Sequence, residues 1–137
     1  MTIKHASSLR AAVYNGTHGN LSKAIGAAEF AADAADTTIA VLRLEAGTTV
    51  TGLTAHNTAL GAGTGYTVGV AYFDAADGTD DDDLFATDAD SAAAGSVSYS
   101  GAPITFEKPV MVTVKVTDAA GTGKVTVVPE YIYRGPN

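Results

Sequence analysis

Eight of the fifteen acidic residues fall between Asp74 and Asp90, and four of them, Asp80 to Asp83, are consecutive. Carboxylates at this density could gather oxygens around calcium, which takes roughly six to eight such ligands. Asp74, Asp77, Asp80 and Asp82 are the candidate ligands, with Asp81 and Asp83 beside them. The spacing lacks the Asp-x-Asp-x-Asp-Gly start of a helix–loop–helix calcium site. Adjacent carboxylates also repel, so a run of this kind is commonly a solvated loop, here expected to point outward. The solvated loop is the default; a cation is the alternative, and no cofactor is expected. Other chemistry is sparse. His5, His18 and His56 have no partner at metal-ligand spacing, and no His-Glu-x-x-His occurs. Ser96, Ser98 and Ser100 alternate with Val97 and Tyr99 in strand or turn fashion, with no Gly-x-Ser-x-Gly elbow. Gly61-Ala-Gly63-Thr-Gly65 has no following lysine and no helix, which favours a turn over a phosphate loop. No catalytic set can be assembled, and the expected class is non-enzymatic.

The elements that would position these residues are strands. Val110, Val112, Val114 and Val116 recur at every second position. This period buries the valines and wets Met111, Thr113, Lys115 and Thr117. Pro109 to Tyr133 thus reads as two strands joined by a tight glycine turn at Asp118 to Gly123, with Lys124 to Tyr133 beginning the second alternating run. Thr37 to Leu44 is β-branched and apolar on both faces, as in a buried strand. Thr48 to His56 alternates through Val50 and Leu53, and residues 57–65 form a glycine-rich loop. Tyr66, Val68, Val70 and Tyr72 share one face of a strand. Leu84-Phe85-Ala86 is a short strand or anchor, Val97 and Tyr99 suit an edge, and Ile104 and Phe106 give one more short piece. Tyr66, Tyr72, Tyr131 and Tyr133 fall on valine faces, which suits core packing more than a sugar-stacking platform, and there is no tryptophan.

Seven or eight short strands with Gly, Asp and Asn turns predict an all-β, single-domain jelly roll or β-sandwich over residues 37–137. Residues 1–36 lack that patterning and are expected to form an extended or irregular arm. A short helix over Lys23 to Asp36 is the alternative, and an arm of this kind often docks on a neighbour.

A 137-residue chain suits one domain. Net charge is −7 and the eight basic residues are scattered, which excludes the basic patch that nucleic acid needs. No apolar run approaches the roughly 20 residues of a membrane-spanning helix. The first residues lack the apolar middle of a secretion signal, so synthesis and use in a cytoplasm are expected. There is no cysteine, hence no disulfide or thiolate metal site.

Several stretches resemble one family. Val13-Tyr-Asn-Gly16, Val41 to Val50, Leu60-Gly61, Tyr66 to Tyr72, Asp74 to Phe85 and Gly123 to Tyr133 together are similar to the capsid decoration, or cement, proteins of tailed bacteriophages. The resemblance covers residues 11–133 and rests on strand and turn grammar. It implies a jelly-roll or sandwich fold, no catalytic or cofactor-binding residues, and a homo-oligomer, dimer or trimer. The implied partner is the phage major capsid protein, on the outer surface of a virion assembled in the host cytoplasm. Arg10, Tyr14, His18 and Lys23, in the arm, are the candidate capsid-binding residues. The alternatives are a carbohydrate-binding sandwich module and a head-fibre or tail component.

Overall fold

The computed structural model describes residues 3–10, 12 and 21–133. Among the described residues eleven strands follow one another: β1 Ile3–His5, β2 Leu21–Lys23, β3 Gly26–Asp33, β4 Thr38–Leu44, β5 Thr48–Asn57, β6 Gly65–Tyr72, β7 Asp81–Asp90, β8 Gly95–Tyr99, β9 Ile104–Phe106, β10 Val110–Thr117 and β11 Gly121–Tyr133. Single turns of 3-10 helix occur at Ser7–Arg10 and Ala75–Asp77, and no α-helix is present among the described residues.

The strands form two sheets packed as a sandwich, the expected all-β architecture. One sheet has five strands in the order β1-β4-β10-β6-β7, antiparallel except for β1 on β4. The other is built on β11 and β5, which pair along nearly their full lengths. β2 and β3 lie end to end on the far side of β11, and β8 and β9 end to end along β5. Pro129 has no N–H to donate, and it falls opposite the gap between β2 and β3.

The core lies between the sheets. Val110, Val112, Val114 and Val116 are fully buried, with Leu42, Leu44, Val50, Val68, Val125, Val127, Tyr66 and Tyr131. Each such side chain withdrawn from water contributes about 1.5–3 kcal/mol before the entropy of ordering it. Burial also holds the Tyr66 phenol in its neutral form, raising its pKa.

Four expectations need correction. First, β10 and β11 do not pair with each other across the turn that joins them. They belong to opposite sheets, and Asp118, at φ 71°, helps to carry the chain across the sandwich. Second, Met111 and Thr113 are not wetted. Leu9 and Ile3 fold over the outer face of the five-stranded sheet and pack on Ala40, Ala71 and Met111. Third, residues 26–33 are extended, one of the forms expected and not the helix, but they belong to a sheet and not to a separate arm. β3 pairs with β11 and buries Ala28 and Phe30 in the core. Ser8 ties this edge across the sandwich, since its Oγ donates to the Val41 carbonyl at 2.8 Å and accepts from Ala27 N–H at 3.1 Å. Fourth, Asp81 to Asp90 form no loop. They make the edge strand β7, with Phe85 and Ala86 turned inward.

Candidate functional site

The described histidines and serines make no reactive cluster. His5 is exposed on β1 and His56 is exposed on β5; His18 lies outside the described residues. The register sets Ser96 directly opposite His56, a neighbour relation that sequence spacing could not reveal. No hydrogen bond joins the two, and neither has a carboxylate to orient it. Tyr66 and Tyr131 are buried, Tyr99 stands edge-on to Phe85 with ring centroids 5.3 Å apart, and the Arg43 guanidinium covers the Phe73 ring at 4.5 Å.

The outer face of the six-stranded sheet is a flat field of hydroxyls. Thr54 and Ser98 face each other, as do Thr49 and Thr105, whose hydroxyls are 2.8 Å apart. A shallow depression of about 550 Å³ runs across it, lined by Lys23, Thr51, Thr54, His56, Tyr99 and Glu130. At one edge Lys23 pairs with Glu130 at 3.3 Å. Leu21 and Ile25 flank that lysine and are 58% and 64% exposed, although both are large apolar side chains. Arg10, at the end of the turn after β1, is exposed; Tyr14 lies outside the described residues.

The acidic residues separate into two groups with different roles. Asp74 caps the turn at Ala75–Asp77, accepting from Ala76 N–H at 2.9 Å. Asp80 accepts from Tyr72 N–H at 2.9 Å, and Asp77 lies within the capped turn. Both aspartate oxygens named here stabilise backbone and face different elements. Of the four candidate ligands, only Asp82 joins a cluster, and its companions are Asp81 and Asp83: one oxygen from each lies within 4.8 Å of the others. Side chains of consecutive strand residues normally alternate sides. Here the ladder slips, because Val68 pairs with Ala86 and Val70 with Asp81, so five steps on β7 oppose two on β6. The extra residues bulge across Gly69, where a Cβ would lie 2.1 Å from the Asp81 carbonyl oxygen. The Lys115 ammonium reaches Asp82 Oδ2 at 2.7 Å, and that contact raises the lysine pKa. The Asp83 carboxyl is held above the usual range by its hydrogen bond with Asp81 and the charges of Asp81 and Asp82.

No family model matches this sequence, and no curated protein does. Solved structures are similar in fold. A chain from the capsid of Ralstonia phage GP4 superposes with a TM-score of 0.74 at 13% identity, covering 98% of this chain and 99% of that one. A chain from the Cyanophage Pam1 capsid asymmetric unit gives 0.66 at 20% identity, covering 93% and 94%. A chain from the acidic stable capsid of Helicobacter pylori bacteriophage KHP30 gives 0.61 at 18% identity, covering 87% and 92%.

Proposed function

We propose that this chain is a non-enzymatic structural component of a phage particle, a decoration protein that binds the outside of the head and bridges coat subunits. The observation that carries this reading is the end-to-end likeness in fold to chains of three phage capsids, with nearly the whole of each chain used. A sandwich without a reactive cluster among its described residues suits adhesion. Its work would be contact area, repeated over many copies. A homo-oligomer, dimer or trimer, would hold through several sites at once, so modest single contacts add to a firm attachment. Any ligand of the closed shell stabilises that shell by mass action.

The major capsid protein is the proposed partner, and the exposed Leu21–Lys23–Ile25 edge is the proposed contact, together with Arg10, Tyr14 and His18. Large apolar side chains left in water around one cation are the kind of surface that protein partners cover. Purified protein should co-sediment with undecorated heads and appear as ordered density on their outer surface. Leu21→Asp combined with Ile25→Asp should abolish the binding and leave the fold intact by circular dichroism. Failure of the unmodified protein to bind heads overturns the decoration role, and binding only to fibres or tails relocates it on the particle.

A further inference from the structure

The outer face of the five-stranded sheet holds an open depression of about 540 Å³, lined by Asp36, Asp82, Asp83, Asp88, Asp118 and Lys115. Five carboxylates thus face one ammonium. Thr67 lines the same depression. Its cross-strand partner is Lys115, and directly opposite residues of an antiparallel pair present their side chains on one face. The Thr67 side chain therefore stands on the side of the sheet on which Lys115 meets Asp82. Thr67 is only 7% exposed, and its Oγ1 has no hydrogen-bond partner. A buried hydroxyl without a partner is costly and uncommon, which points to a ligand that completes it.

We propose that the bulge of β7 binds a hard divalent cation, calcium foremost, through the carboxylates of Asp81, Asp82 and Asp83, with the Thr67 hydroxyl and water completing the shell. Three carboxylates offer up to six oxygens, and a bulged strand allows the irregular, roughly six-to-eight-fold geometry that calcium accepts and magnesium does not. Lys115 takes one oxygen of Asp82 and leaves the other. One oxygen each from Asp81, Asp82 and Asp83 lies within 4.8 Å of the others, a crowding of like charge that a cation would relieve. The bound ion would pin the bulge over Gly69 and fix the free edge of the sheet.

The test uses the full chain after treatment with a chelator, titrated with calcium chloride in a calorimeter. Expected is a saturable signal near one ion per chain, and a melting temperature that climbs with calcium concentration. Asp83→Asn and Asp81→Asn, both exposed and close in shape to the native residue, should each weaken binding about tenfold or more, and Thr67→Val should weaken it as well. Absence of saturable binding up to about 10 mM calcium overturns the proposal. So do aspartate variants that bind like the unmodified protein, and sodium chloride of matched ionic strength that stabilises equally.

Discussion

Phe30 decides whether the first third of the chain is a loose arm or part of the core. It is 3% exposed on β3 and packs within the main cluster with Ala28. Replacement by alanine removes a buried ring at a site walled by two sheets, where collapse is restricted. Such truncations cost about 3–5 kcal/mol through lost transfer energy and the residual cavity. Against a total of about 5–15 kcal/mol for a domain, Phe30→Ala should leave the protein marginal. Ile25, five residues earlier, is 64% exposed, and Ile25→Ala should stay within about 0.5 kcal/mol of the unmodified protein. Urea unfolding of the two variants side by side measures both, and the slope of the transition reports whether unfolding stays cooperative. A Phe30→Ala cost below about 1 kcal/mol, equal to that of Ile25→Ala, would refute the placement of β3 in the core.

Gly69→Ala should destabilise by about 1–3 kcal/mol or more, because the new methyl meets the backbone of Asp81 and Asp82, which cannot rotate away. Gly52→Ala is the control, since its nearest neighbour would be Glu130 Oε1 at 3.7 Å; equal denaturation midpoints for the two variants would contradict the bulge. Asp33 accepts a hydrogen bond from the Lys4 ammonium and another from Ala31 N–H at 3.1 Å, and the first of these chiefly lowers its pKa. A lowered carboxyl contributes stability above the unfolded value of about 3.9 and loses it as pH falls through the folded value. The unmodified protein should therefore be more stable than Asp33→Asn at neutral pH by at most about 1 kcal/mol, because the pair is near the surface, and the gap should shrink as pH falls below the unfolded value and the carboxyl takes up its proton. A gap that is the same in acid as at neutral pH would show that charge is not its source.

The valine ladder of β10 was legible because its period reflects one local fact, that every second side chain meets the other sheet. Thr38–Leu44 was legible as a continuous apolar run, and β8 and β9 as short pieces at an edge. What could not be read locally depends on partners far away in sequence. Met111 alternates as a solvent-facing residue should, and only the return of Leu9 and Ile3 over the outer face buries it. Residues 26–33 are rich in alanine, which favours helix; pairing with β11, about a hundred residues later, makes them a strand. The aspartate run lacks strand propensity, yet Phe85 and Ala86 anchor it against β6. The resulting slip in register selects Asp81 and Asp83 over Asp74, Asp77 and Asp80 as companions of Asp82. A ligand set defined by a bulge has no fixed sequence spacing, so spacing rules could not find it.

The two sheets expose different kinds of edge, and this bears on how copies could associate. An edge strand offers unpaired backbone groups to any similar strand. On the five-stranded sheet that offer is withdrawn at β7: consecutive aspartates, two register slips and a left-handed Asp88 at φ 47° break the regular ladder on its far side. Two such edges brought together would repel before they could pair. At the opposite edge β1 is only three residues long, with the adjoining turn closing over it. The six-stranded sheet is different. Along its outer margin Leu21, at the start of β2, and Ile25, between β2 and β3, are exposed, and its other margin, β8, is short and uncharged. Charge thus guards one sheet and apolar surface marks the other. Attachment through the six-stranded sheet would leave the acidic face outward, open to solvent cations and repelling neighbouring copies laterally.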